Sequence, residues 1–276
     1  NPDIIGKDWF IAFDFFYWYS RVNQIDFAYY NHNDQALSIQ GKTKNIHFDW
    51  APGVRVGIGR NIDHESWDLY FYYTYYQNRF SGSAHAGFGD TLVPLRGVIV
   101  QNTAIGRAKS NLVLDFYNID LELGRYYYIS DQLSLRPFVG LKNAWVDLRQ
   151  STRYTHGALQ NNSVYINDKS DFWGVGLQGG INSRWHLGSH FSFNGLFGAA
   201  ILYGLFDIEH SEKHSLSKHY AIKLNDDKHQ FIPTMQWRFG MSWGSFVREQ
   251  NNYITIHLSY EGMYWFRLNK MLNVQE

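Results

Sequence analysis

The sequence predicts an all-β fold, a transmembrane antiparallel barrel of about ten strands, and three observations predict it. Fifty of the 276 residues are aromatic (10 Trp, 20 Tyr and 20 Phe) and 18% are charged, against roughly 25% charged in an ordinary soluble domain. Apolar side chains recur with a period of two over long stretches, so each segment presents one greasy and one polar face. Connections alternate between short and long, as they do where turns form one rim of a barrel and loops the other.

Nine strands follow in order. Trp9, Ile11, Phe13, Phe15, Tyr17 and Tyr19 alternate with a set containing Asp14. Phe48, Trp50, Pro52, Val54, Val56 and Ile58 oppose Asp49, Arg55 and two glycines. Trp67, Leu69, Phe71, Tyr73 and Tyr75 face away from Asp68, and Ile119, Leu121 and Leu123 face away from Asp120 and Glu122. Leu133, Leu135, Pro137, Val139 and Leu141 oppose Arg136, Gly140 and Lys142. Trp173, Val175, Leu177 and Ile181 oppose Gly174, Gly176, Gln178 and Asn182, and a largely apolar strand follows from Phe191 to Tyr203. Phe231 to Met241 on odd positions oppose Thr234, Gln236 and Arg238, and Ile254 to Tyr260 on even positions oppose His257, Ser259 and Glu261. Several reach the roughly 9–11 residues that cross a bilayer at a tilt. Short links are expected near Asn61–Glu65, Ile129–Gln132, Ser183–His190 and Ser245–Asn252. Long loops are expected near Ser20–Asn45, Asn78–Ala108, Gln150–Ser170 and Asp207–Lys228. Trp9, Trp67, Trp145, Trp185, Trp243 and Trp265 stand near strand ends, where amphipathic rings suit headgroup depth.

Composition removes other classes. With 25 basic and 25 acidic residues and a mean hydropathy of −0.38, the chain has no global field for nucleic acid and is too polar for membrane helices. It has no cysteine, which excludes disulfides and thiolate metal sites. No leader-like segment opens it, so Asn1 reads as the start of a mature or trimmed chain, and residues 1–276 read as one domain. Nine strands are an odd number, whereas single-chain bacterial barrels have an even one. A tenth strand, continuing past Glu276 or missing from the sequence, is therefore expected to close the sheet.

Several strings resemble the Legionella major outer membrane protein family, which also occurs in chlamydia-like bacteria. They are Asp14 in an aromatic opening strand, Trp50-Ala51-Pro52-Gly53-Val54-Arg55-Val56-Gly57, Tyr117 to Arg125, Leu135 to Leu141, Phe172-Trp173-Gly174-Val175-Gly176 and Tyr260-Glu261-Gly262 with Trp265. The resemblance implies an outer-membrane barrel thought to form pores, with no catalytic residues to carry over. It also implies an aromatic-ended last strand, which Leu272-Asn273-Val274-Gln275-Glu276 does not supply.

Other motifs weigh less. Gly174-Val175-Gly176-Leu177-Gln178-Gly179 spells a dinucleotide fingerprint but lies inside an alternating strand with no helix to receive a pyrophosphate. His210, His214, His219 and His229, beside Glu209 and Glu212, are read as a solvated polar loop rather than metal ligands. Asp63-His64, His186 with Ser189 and His257 with Ser259 are the letters a rim hydrolase would use, and no third group is placed beside them. Thr91 to Leu95 and Val98 to Val100 are apolar enough either to fold into the mouth as a constriction or to form an external cluster.

The charged residues of the inward set carry the functional expectation. Asp14, Asp49, Arg55, Asp68, Asp120, Glu122, Arg136, Lys142, Arg238 and Glu261 read as lining, with Asp120, Glu122, Arg136 and Lys142 nearest a constriction. Buried charges must pair or face water. They accordingly line a wet pore for ions and small hydrophilic solutes, or cross a closed structural barrel that acts through its loops. No enzymatic activity and no cofactor is expected. Outer-membrane lipid and small solutes are the expected partners, with a homo-oligomer and a loop-bound envelope or host ligand left open. The expected location is the bacterial outer membrane.

Overall fold

The computed structural model describes residues 9–31, 41–62, 66–87, 91–101, 103–160, 162–188, 190–217, 219–247 and 252–271. Its strands are β1 (Trp9–Tyr19), β2 (Ala28–Asn31), β3 (Thr43–Lys44), β4 (Trp50–Ile62), β5 (Trp67–His85), β6 (Thr91–Pro94), β7 (Arg107–Arg125), β8 (Tyr127–Tyr128), β9 (Leu133–Thr155), β10 (Ser163–His186), β11 (Phe191–His214), β12 (Ile222–Val247) and β13 (Asn252–Trp265). The nine long strands form one antiparallel meander, β1-β4-β5-β7-β9-β10-β11-β12-β13, curled into a half-barrel. All nine expected strands are present, and the sheet ends at β1 and β13. Strands β3, β2 and β6 make a separate small sheet.

The outward face follows the expected register from the short-turn rim upward. Ile11, Phe13, Val56, Phe71, Leu121, Val139, Leu177, Ile201 and Leu258 are exposed there. The band is framed by aromatic side chains. Trp9, Trp67, Trp185 and Trp243 stand near the short turns, and Tyr75, Tyr117, Trp145 and Trp173 lie side by side on neighbouring strands higher up. Eight residues separate Trp67 from Tyr75, and twelve separate Trp173 from Trp185. At roughly 3.4 Å per residue and a tilt near 40°, that is about 21–31 Å of height, which matches the apolar band of a spanning barrel. Trp265 does not join this girdle: it points inward, with its ring 5.7 Å from Phe116 and 6.4 Å from Phe172.

Directly above the upper aromatic row the pattern inverts. The next outward row is Gln77, Asp115, Asp147, Asp171, Asp207 and Asp227, in register across six strands. The row after it carries Arg79, Arg149, Lys169 and Glu209. On the inside the same stretch gains an apolar core, with Phe80, Leu112, Leu148, Tyr154, Ile166, Phe206 and Ile208 buried beside polar groups such as Gln150, Asp168 and His210. Segments 78–85, 107–118, 143–155, 163–172 and 204–214 are therefore wall, and the last three long loops are shorter than the sequence suggested, whereas the first runs the whole way from Tyr19 to Trp50. The alternation persists there, but the faces exchange polarity, because water now lies outside and protein inside.

That protein is contributed by the first two long connections. Ile25, Phe27, Ala28, Ile46, Leu92, Val100 and Ile105 are buried in one core with the inward residues of the upper wall. The apolar segment from Thr91 to Val100 thus folds into the barrel rather than forming an external cluster. The lipid-facing assignment carries a numerical expectation. Leu177, 72% exposed, replaced by Arg is expected to lose about 2–4 kcal/mol near the midplane, read as a lowered urea midpoint for the barrel in lipid vesicles. Thr234, on the opposite face of β12, is buried and is not a mild control.

Candidate functional site

Below the plug the lumen opens into a cavity of about 3500 Å³ that runs to the short-turn rim. Six of the ten sequence-predicted residues line it: Asp14, Arg55, Asp68, Arg136, Arg238 and Glu261. Strand alternation places all six on the inward face, and most are tied to one another. Arg55 NH1 lies 3.3 Å from Asp14 Oδ2 and 3.2 Å from Glu261 Oε2. Arg238 Nε donates to Glu261 Oε2 at 2.9 Å. Trp18 Nε1 donates to Glu261 Oε1 at 2.8 Å, so β13 reaches the wall of β1 through this cluster.

A second cluster sits on β5, β7 and β9. Asp68 pairs with Gly124 and Gly124 with Phe138, two residues along β9 from Arg136. Arg136 Nε donates to Asp68 Oδ2 at 2.7 Å, and its NH1 donates to Glu122 Oε2 at 3.0 Å. Gly124 makes room for this geometry, since a methyl group there would collide with the Arg136 guanidinium. Lys142 Nζ lies 2.6 Å from Asp120 Oδ1 in a buried pair, and Asn118 also donates to Asp120. Glu122, Asp120 and Lys142 are buried in the wall and do not open on the cavity. Asp49 is exposed at the long-loop rim, just before β4, where its Oδ1 accepts the backbone N–H of Trp50 at 2.8 Å. Among the four constriction candidates only Arg136 touches the cavity.

A third network, absent from the sequence reading, fastens the plug. Arg96 donates through NH1 to Asp168 Oδ2 at 2.9 Å and through Nε to the carbonyl of Asp26 at 3.2 Å. His210 lies between two carboxylates, with Nδ1 2.5 Å from Asp168 Oδ1 and Nε2 2.9 Å from Glu212 Oε1. Glu212 also accepts the backbone N–H groups of Val98 at 2.7 Å and Ile99 at 3.0 Å. The turn that aims them needs Gly97, whose φ is 89°, a conformation costly for other residues. His210 is thus not in a solvated loop: it lies on β11 with its side chain 1% exposed. Burial alone would lower its pKa, but hydrogen bonds and charge from Asp168 and Glu212 outweigh burial and raise it to about 9. Burial likewise favours the neutral form of Glu212, yet His210 and the two N–H groups hold its pKa below the ordinary carboxylate value.

Arg184 is the other residue sequence reading passed over. It was assigned to a short link, whereas β10 continues to His186 and carries the inward set Gly174, Gly176, Gln178 and Asn182 on to Arg184. The fingerprint glycines sit inside β10, where Gly176 backs onto the carbonyl of Ile201 and Gly174 onto the Phe172 ring. They give close strand and ring packing, without a helix to hold phosphate.

No curated protein matches the chain. A family model described as Legionella pneumophila major outer membrane protein precursor matches residues 5–276.

Proposed function

The chain belongs to the Legionella pneumophila major outer membrane protein family, and from that premise we propose that it is a porin-like barrel admitting ions and small hydrophilic solutes. The observation that carries this reading is the cavity of about 3500 Å³ inside an apolar band of bilayer height, whose wall mixes aromatic side chains with Asp14, Arg55, Asp68, Arg136, Arg184, Arg238 and Glu261. A lumen of this volume that carries ion pairs, Ser, Asn and Gly among its aromatic side chains holds water and passes polar solutes in preference to apolar ones. The inserted segments narrow the long-loop end, so passage is limited there and the cavity behaves as a vestibule.

A second reading has its own support. The apolar core formed by Phe27, Leu92, Val100 and Ile105 with the upper wall is what a barrel closed for structural or adhesive purposes would contain. Planar-bilayer recording separates the two. The pore reading expects discrete ohmic steps from the purified protein, and a several-fold larger conductance when residues 91–101 are replaced by a short Gly/Ser linker. Silence from the native chain together with channels from the linker variant would favour the closed barrel. Silence from both, with folded protein, would end the pore reading.

A further inference from the structure

On the strands of the cavity wall the charge is locally neutralised except at Arg184; Arg21, Arg267 and Asp131, which also line the cavity, stand outside the long strands. Asp14 and Glu261 are engaged by Arg55 and Arg238, and Asp68 and Glu122 by Arg136. Arg184 faces the same cavity, and among the described residues no carboxylate lies within ion-pair distance of it. Its Nε donates to Asn194 Oδ1 at 3.2 Å, which leaves the terminal nitrogens of the fork without a carboxylate. The neighbouring level toward the short turns is rich in hydrogen-bonding groups: His186, Ser192, Ser242 and His257 lie in register across β10 to β13. Ser192 Oγ lies 3.1 Å from His186 Nδ1, and Asn194 Nδ2 donates to Ser242 Oγ at 2.8 Å. Among the described residues, six arginines against four carboxylates line the cavity as a whole.

We infer that Arg184, with the amide and hydroxyl groups of Asn194, Ser192 and Ser242, is a binding site for small oxyanions at the short-turn mouth. The chemistry is that of a guanidinium fork, which presents parallel N–H donors to a carboxylate, sulfonate or phosphate. Low-dielectric walls around a wet cleft concentrate the field of an unpaired charge and raise the local concentration of its counter-ion. Arg55, Arg136 and Arg238 offer no comparable site, because carboxylates of the wall already occupy them. The inference rests on the cavity being the water-filled vestibule of the proposed function, and it names the solute class that vestibule favours.

The absence of native cysteine permits a test that needs no conduction. Asn182→Cys places one thiol two residues from Arg184 on the same cavity-lining face. Its rate of modification by the anionic 2-sulfonatoethyl methanethiosulfonate is divided by that with the cationic 2-(trimethylammonium)ethyl reagent, in detergent-solubilised protein. Adding Arg184→Gln should lower that ratio about threefold or more, and Arg184→Lys should retain most of it. Ser259→Cys, exposed on the facing side of the same level, serves as reporter if the first variant does not fold. An unchanged ratio in the Gln variant would overturn the inference. A bilayer silent to wild type with the ratio still shifting would sink the pore while leaving the anion site standing.

Discussion

Arg136→Met is expected to destabilise the barrel by about 3–5 kcal/mol, the range for breaking a buried ion pair by removing one partner. The side chains of Arg136, Asp68 and Glu122 are 6%, 2% and 5% exposed. The guanidinium meets both carboxylates from β9 while they sit on β5 and β7, so it joins three adjacent strands. Methionine fills most of the volume but leaves two carboxylates facing each other without a cation. Urea titration of the barrel in lipid vesicles, followed by the heat-dependent shift in gel mobility, would measure the loss. The triple variant Arg136→Met, Asp68→Asn, Glu122→Gln should recover most of it, because the unpaired charges are then gone. A loss below about 1 kcal/mol in the single variant would mean that water already reaches the cluster.

Asp168→Ala should release the plug. It removes the shared acceptor of Arg96 and His210 and leaves two buried cations without it, a change of similar size confined to the upper half. Amide protection at Val98 and Ile99, which donate to Glu212, reports the loss directly, and under the proposed pore function channel conductance should rise in parallel. The same latch depends on pH with a definite sign. The folded pKa of His210 lies near 9, above its ordinary 6.5, so its contribution is complete below 6.5 and lost as pH rises through about 9. The folded pKa of Glu212 is depressed, so its contribution is present above about 4.5 and lost as pH falls below it. Protection factors at Val98 and Ile99 should therefore be highest near pH 5 to 6.5 and fall toward both extremes. Protection that is flat from pH 6 to 9.5 would reject the charged His210.

The membrane half was legible because one rule governs it: odd or even positions carry the grease, and lipid selects them. Trp9 to Tyr19 and Phe231 to Met241 needed only that rule. The upper half obeys the same period with the sign reversed, so Arg107 was placed in a loop and Lys109 and Asn111 were given no strand, although all three lie on the outside of β7 with Ala108, Leu112 and Leu114 packing inside. Ion partners were illegible for a different reason. Asp68 and Arg136 stand 68 residues apart, and only the register of the intervening β7 brings them together. Arg96 and Asp168 meet across 72 residues, through a connection whose inward course no local pattern announces. Asp49 shows the converse hazard: alternation assigned it a face, but its strand begins one residue later.

The extended upper wall also sets how the molecule presents itself to its surroundings. From Tyr203, at the top of the apolar band on β11, the strand continues eleven residues to His214. At about 3.3 Å per residue and a tilt near 40°, that is a rise of roughly 28 Å. The loop tips are thus carried on a stiff collar, clear of the headgroups by about the thickness of another bilayer core. A saccharide coat at the base of the collar would meet a charged pleated surface rather than loops. A large molecule approaching the long-loop rim would encounter the tips first and the collar only through gaps in that coat. Sequence change at the tips can then alter what the protein displays without disturbing the buried plug beneath.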